Sequence, residues 1–227
     1  MVSATKFVAG AVTPARASRA LALSAWSCSR AKRVFDLACG LLALFVAVPV
    51  MIVAALLVWL TSPGPVLYRQ RRWGIDGREF ELLKFRSMVH NPRHAGPGLT
   101  PAGDSRITPV GRMLRKWKLD ELPQLFNVIR GEMSLVGPRP DLSEYLGELP
   151  AWQRQVLRLR PGITGWATLH FRHEEELLAK APSGMLHEFY RTVLLPQKIQ
   201  LDLEYGTRAT LWGDVAVLAK TFSAILH

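Results

Sequence analysis

Between Asp36 and Arg69 the chain carries no charged residue, and Leu37 to Leu60 is an almost continuous run of Leu, Ala, Val and Ile. Roughly 20 such residues cross the hydrocarbon core of a bilayer as a helix, so any fold of this chain has to accommodate a membrane-length apolar element. Two features argue against a simple crossing. Pro49 interrupts the middle of the segment, and both flanks are basic, with Lys32 and Arg33 before it and Arg69, Arg71 and Arg72 after it. Positive flanks prefer the cytoplasmic side, so both ends ask for the same face. A helix that enters, bends at Pro49 and returns satisfies both observations, although a proline kink also occurs in ordinary spanning helices. The segment starts late, is long, and has no clear small-residue cleavage site after it, which argues against a cleaved signal peptide.

With 29 Lys plus Arg against 18 Asp plus Glu, the net charge of +11 implies an anionic partner: nucleic acid, a phosphorylated metabolite or an acidic membrane surface. Hydrophobic residues make up 49% of the chain, unlike a soluble nucleic-acid binder, and no groove-reading or stacking motif is present. No nucleic acid is therefore expected as partner. At 227 residues the chain can build one real core but not two large domains. Cys28 and Cys39 form no metal-ligand spacing, and nothing indicates a disulfide or an oxidising compartment.

The organisation reads as three parts. Residues 1–30 are rich in Ala, Ser and Arg without an acid, a mobile or interfacial arm; 31–61 hold the membrane helix; 62–227 form the remaining domain. Thr61 to Pro65 forces a turn, and Val66 to Tyr68 and Phe80 to Leu83 read as two extended segments around a Gly74 to Gly77 turn. Asn91 to Gly103 reads as a surface loop. Helical periodicity returns at Val110 to Trp117, Leu122 to Arg130, Ala151 to Leu159, Lys198 to Tyr205 and Leu211 to Leu226. The fold class is mostly α with a few short β-strands: a membrane-associated α/β domain behind an N-terminal, proline-broken re-entrant helix.

Chemistry concentrates at Asp120 and Glu121, adjacent carboxylates in the stretch Leu119 to Leu125. Asp120 reads as the N-cap of a helix that tolerates Pro123 in its first turn, buries Leu122, Leu125, Phe126 and Ile129 on one face, and ends at Gly131. A positive helix end suits a phosphate and keeps a carboxylate ionised as ligand or nucleophile, though capping alone would also explain Asp120. Lys84, Arg86, Arg112 and Arg115 precede the pair, and Arg139 and Arg160 follow it. Arginine grips phosphate bidentately, and Arg139 is held between Pro138 and Pro140. Many of these cations could equally serve lipid headgroups, at roughly 1 kcal/mol each.

The ordered set Lys32-Arg33, Ser62 to Pro65, Arg69-Gln70, Lys84 to Met88, Asp104 to Thr108, Gly111-Arg112, Leu119 to Leu125, Gly131 to Pro140 and Arg160 to Gly165 closely resembles the bacterial sugar transferases, the small monotopic phosphoglycosyl transferases that initiate capsule, O-antigen and exopolysaccharide assembly. The resemblance covers Lys32 to the C-terminus. It implies that Asp120 is a nucleophile that attacks the sugar-bearing phosphate of a UDP-sugar, expels UMP, and passes the phosphosugar to undecaprenyl phosphate. It further implies a Mg²⁺ held with Glu121, and phosphate binding by Lys84, Arg86, Arg112, Arg115, Arg139 and Arg160. Lys32 and Arg33 would anchor the helix that breaks at Pro49 among membrane lipids, on the cytoplasmic face of the bacterial inner membrane. A homodimer is compatible with this reading but not fixed by it.

Where many relatives read Gly-Trp-Ala-Gln-Val-Asn-Gly-Arg, this chain has Gly165-Trp166-Ala167-Thr168-Leu169-His170-Phe171-Arg172, which puts the familiar sugars in doubt. His170 and His173 have no convincing further partners for a metal. Trp152, Trp166 and Trp212 read as core or membrane-interface aromatics. Larger relatives carry an N-terminal multi-span region for which this chain has no room, so a catalytic core alone is expected. The competing readings are a non-enzymatic membrane-surface adaptor, which needs no Asp-Glu pair, and a glycosyl transferase that releases UDP.

Overall fold

A computed structural model describes residues 21–90, 99–141, 145, 149–182 and 184–226. Helix α1 (Arg30–Thr61) runs for 32 residues with Pro49 inside it, about 48 Å at the usual rise. Ser29 starts it by accepting the N–H of Lys32 on its hydroxyl, which satisfies one of the unpaired donors of the first turn. Pro49 has no N–H to give the carbonyl of Phe45, so the ladder is weakened in mid-helix. One face of α1 is buried along nearly its whole length, at Lys32, Asp36, Gly40, Met51, Ala54 and Val58. Those positions recur at helical spacing. The opposite face, with Leu42, Phe45, Val46, Ile52, Val53, Leu56, Trp59 and Leu60, lies open, Phe45 being 80% exposed. An apolar surface of that extent marks contact with lipid or a partner.

Both ends of α1 are tied to the same body. At its start, Lys32 Nζ lies 2.6 Å from Asp214 Oδ2 and the Leu135 N–H donates to Asp36. At its end, Arg86 donates to the carbonyls of Ser62 and Pro65, both at 2.6 Å, and to that of Val58 at 3.4 Å. Arg86 thus gathers the carbonyls at and just beyond the end of α1, where Val58 O also accepts the Ser62 N–H.

The two extended segments form an antiparallel hairpin, β1 (Leu67–Trp73) and β2 (Glu79–Phe85), with Tyr68 opposite Lys84 and Arg72 opposite Phe80. Asn127 seals the outer edge of β2, accepting from Leu83 N–H at 3.1 Å and donating to Glu81 O at 2.7 Å. Helix α2 (Pro109–Lys116) follows, capped by the Thr108 hydroxyl, and then α3 (Gln124–Arg130), which ends in left-handed Gly131 as expected. Two expectations for α3 fail. Asp120 does not cap it: Pro123 occupies the cap position, and Asp120 belongs to a separate 3₁₀ turn, Leu119–Glu121. Phe126 turns outward, while Gln124, Leu125, Asn127 and Val128 form the buried face.

Strand β3 (Ser134–Val136) pairs in parallel with β4 (Gly162–Thr164). Short helices α4 (Ala151–Arg154), α5 (Trp166–His170), α6 (Glu174–Leu178) and α7 (Leu186–Phe189) precede the longer α8 (Leu195–Arg208) and α9 (Leu211–Leu226). The expected helix from Ala151 to Leu159 becomes α4 followed by a 3₁₀ turn, Gln155–Arg158. Of the N-terminal arm, residues 1–20 lie outside the described residues, as do 91–98 of the expected surface loop. Residues 21–29 are docked on the body: Ser24 N–H donates to Gly206 O at 2.9 Å and Trp26 Nε1 to Asp214 at 2.8 Å.

The β3–β4 contact is close enough to exclude side chains. A Cβ on Gly162 would sit 2.1 Å from the Gly137 nitrogen, and one on Gly137 would sit 2.4 Å from the Arg160 carbonyl. Gly162→Ala is therefore expected to cost on the order of 3 kcal/mol in unfolding free energy, measurable as a lowered midpoint in denaturant. An unchanged midpoint would contradict this packing.

Candidate active site

The Asp-Glu pair is built by backbone strain followed by burial. Lys118 adopts left-handed φ/ψ (53°, 20°), uncommon for a residue with a side chain. The chain then tightens into the Leu119–Glu121 turn, with Leu122 N–H donating to Leu119 O. This swings both acids inward, leaving Asp120 5% and Glu121 8% exposed.

Their environments differ sharply. Glu121 is gripped by two cations: Oε1 accepts from Lys84 Nζ at 3.1 Å and from Arg139 Nη2 at 2.7 Å, and Oε2 from Arg139 Nη1 at 3.4 Å. Burial alone would raise the Glu121 carboxyl, but Arg139 and Lys84 outweigh it and hold Glu121 well below the usual carboxylate range. Asp120 goes the other way. Burial, and then the neighbouring Glu121 charge, push it up against the pull of Lys84, Arg115 and Lys118. Its Oδ1 is buried without a hydrogen-bond partner. An anionic oxygen lacking a donor is a poor structural element and an available nucleophile or ligand. Two carboxylates pushed apart in this way are a mark of a functional pair.

Arg139 is held from behind. The Pro138 to Pro140 loop leaves β3 directly, and Gly162 N–H donates to Pro138 O at 2.8 Å. Buried Asp202 on α8 lies against the backbone of Arg139 and Ala167. Lys198, one turn earlier, donates to Tyr190 at 2.9 Å and pairs with Glu174 at 3.2 Å. Tyr190 donates to Asp141. Arg72 ties the hairpin to this loop, its Nη1 donating to Pro140 O at 3.1 Å.

Of the cations expected at the phosphate site, Lys84 and Arg139 meet at Glu121, and Arg115 stands by Asp120 while pairing with Glu175 on α6. Arg112 is exposed on α2. Arg86 is directed to the end of α1 instead, with Nη1 donating to Pro65 O and Nη2 to Ser62 O. Arg160 lies close enough to Arg33 for the two charges to repel, and its Nε is buried without a hydrogen-bond partner. Lys32 and Arg33, expected to anchor the helix, both have partners within the protein. Lys32 is buried on Asp214, and Arg33 donates to the carbonyls of Val128 and Ile129 at the end of α3. Arg72 and Lys118 are legible in the sequence only as two of the many basic residues that precede the pair, whereas Glu175, Lys198 and Asp202 were missed as site-building residues and carry no local signal.

Among the described residues no three His, Cys, Asp or Glu side chains cluster as a metal cage. Magnesium commonly uses one or two carboxylates plus substrate phosphates, a demand that Glu121 and the unpartnered Asp120 oxygen can meet. These residues fit a cation delivered with a diphosphate.

Replacing Glu121 by Gln removes the like charge beside Asp120 and frees Lys84 and Arg139. The Asp120 carboxyl should then fall, so the acidic limb of kcat/KM, expected above the ordinary aspartate value in wild type, should move to lower pH while the rate drops. A limb that stays in place would contradict the coupling. Glu121 also contributes stability that is present above its unfolded-state pKa and is lost as pH falls toward its depressed folded value.

A family model described as bacterial sugar transferase matches residues 27–227. The chain is 37% identical over 199 residues to the UDP-N-acetylgalactosamine-undecaprenyl-phosphate N-acetylgalactosaminephosphotransferase of Aeromonas hydrophila, covering 86% of this chain and 43% of that protein. It is 37% identical over 201 residues to the UDP-glucose:undecaprenyl-phosphate glucose-1-phosphate transferase of Caulobacter vibrioides, covering 86% of this chain and 69% of the relative. The protein of that name in Escherichia coli is 36% identical, covering 84% of this chain and 39% of the relative. The chain thus spans well under half the length of two of these three relatives.

Proposed function

Because the chain belongs to the bacterial sugar transferase family, we propose that it transfers a sugar 1-phosphate from a UDP-sugar to undecaprenyl phosphate and releases UMP. The observation that carries this reading is the unpartnered, buried Asp120 oxygen beside a Glu121 locked by Lys84 and Arg139. Asp120 attacks the sugar-bearing phosphorus; a new P–O bond forms to the carboxylate, the bridging P–O bond breaks, and UMP leaves. An oxygen of undecaprenyl phosphate then attacks the same phosphorus and returns Asp120 as carboxylate. Splitting the transfer into two in-line displacements lets one carboxylate serve both halves. A bound Mg²⁺ would neutralise phosphate charge at Glu121. Lys84, Arg139, Arg115 and Lys118 supply the fixed positive field that lets a carboxylate approach a diphosphate.

The same reading puts α1 in the cytoplasmic leaflet of the inner membrane as a re-entrant element, with residues 62–227 at the cytoplasmic face. Its support is that one face of α1 packs on the body from Lys32 to Val58 and both ends are tied to that body. A straight crossing would pull α2 and α3, with their arginines, into hydrocarbon at high cost. Exposed Trp212, Val215 and Phe222 on α9 add a second apolar surface for lipid.

The test is nucleotide release by detergent-solubilised protein with Mg²⁺, undecaprenyl phosphate and a panel of UDP-hexoses and UDP-N-acetylhexosamines. UMP is the expected product; release of UDP would overturn the reading in favour of ordinary glycosyl transfer.

A further inference from the structure

Strand β1 alternates its side chains, so Tyr68, Gln70 and Arg72 share one face. Leu67, on the other, packs into the cluster of Met51, Ala54 and Val58 from α1. Tyr68 is on the opposite face of the strand from Leu67. It stands directly opposite Lys84, at the close spacing of a cross-strand pair, and Lys84 Nζ is the group on Glu121. Tyr68 is 48% exposed, a large aromatic open on the hairpin face that carries Lys84. Beside it, Gln70 is oriented rather than loose. Arg72 donates to its Oε1 from Nη2 at 2.7 Å and from Nε at 3.2 Å. A guanidinium has only donors, which fixes which end of the amide is oxygen and directs the Gln70 NH₂ away from Arg72. The same Arg72 is anchored to the Pro140 carbonyl, so the loop carrying Arg139 and the face carrying Tyr68 and Gln70 hold a constant relation.

We propose that this hairpin face is the base-recognition edge of the site, with Tyr68 stacking on the uracil of the UDP-sugar and the Gln70 NH₂ donating to a uracil carbonyl. The inference rests on the UMP-releasing reading above. An aromatic ring gives affinity for any base, while an oriented donor selects a carbonyl over the exocyclic amine that cytosine carries at position 4. Donor facing donor leaves both unpaired, the arrangement that discriminates most strongly. In an in-line displacement the nucleotide leaves on the side opposite Asp120, and Tyr68 is reached from the pair through Lys84 on Glu121.

The experiment is equilibrium binding of UMP, CMP and inorganic pyrophosphate to the full detergent-solubilised chain, with steady-state KM for undecaprenyl phosphate alongside. Tyr68→Leu, which keeps a strand-compatible apolar residue, should weaken UMP roughly 5- to 150-fold, the range of one base–aromatic stack, and leave pyrophosphate unchanged. Tyr68→Phe should bind UMP within about twofold of wild type, because the ring face is retained. Gln70→Glu, which keeps the acceptor for Arg72 but removes the donor, should invert the UMP to CMP preference. UMP affinity untouched in Tyr68→Leu, equal loss of pyrophosphate, or a rise confined to the KM for undecaprenyl phosphate would each overturn the assignment. Wild-type protein that binds no UMP would instead overturn the transferase reading on which it rests.

Discussion

Asp120→Asn is expected to reduce UMP release by roughly 10⁴-fold or more while raising the thermal midpoint of the protein. The two effects share one cause. Asp120 is buried beside Glu121, and its carboxyl is pushed above the ordinary aspartate value, so ionising it costs more in the folded chain than in the unfolded one. A group with a raised acid pKa subtracts stability at pH above that value. Asparagine has nearly the same shape and no charge, which removes that cost and also removes the nucleophile. Activity would be read as UMP release and stability as the midpoint of thermal unfolding in detergent. Loss of activity with a lowered midpoint would mean that Asp120 supports the fold. A rise in midpoint with activity retained would mean that another group attacks the phosphate.

The second large effect is expected at Lys32. Its ammonium lies 2.6 Å from Asp214 and 3.9 Å from Asp36, and all three side chains are buried. Asp214 is also held by Tyr205 at 2.8 Å and Trp26 at 2.8 Å. Lys32→Met leaves two carboxylates facing each other without a cation, a loss of about 3–5 kcal/mol, or on the order of 10 °C in thermal midpoint for a chain of this size. A headgroup anchor would behave differently. Its removal would leave unfolding unchanged and weaken partition into anionic vesicles, at roughly 1 kcal/mol per charge. Unfolding and vesicle binding measured on the same variant separate the two roles.

That contrast shows where the sequence was informative. The α1 helix, the hairpin, α2, α8 and α9 were readable because each writes its own periodicity or turn chemistry: an uncharged run for α1, Gly74 and Gly77 between two apolar runs, helical spacing from Val110 to Trp117 for α2. Strands β3 and β4 were not, since each is a three-residue parallel segment whose register depends on a distant partner, Ser134 opposite Gly162, and on the Gly137 and Gly162 contact. The pair Asp120 and Glu121 was legible as chemistry, and so was the stiff loop holding Arg139. Their geometry was not: Lys118 turns the backbone into a left-handed conformation that makes Asp120 an inward acid rather than a helix cap. The arginines other than Arg139 were legible only as a charge excess. Whether each meets a carboxylate, holds the end of a helix like Arg86 or lies beside another cation like Arg160 is decided by tertiary packing that has no local signature.

The most direct test of the proposed mechanism is the intact mass of wild-type protein incubated with its UDP-sugar in the absence of undecaprenyl phosphate. A mass increase of one sugar phosphate, located on the peptide bearing Asp120, matched by one equivalent of UMP and discharged on adding undecaprenyl phosphate, is the expected result. Protein that turns over when both substrates are present but never carries the adduct, or that carries it on a residue other than Asp120, would contradict it.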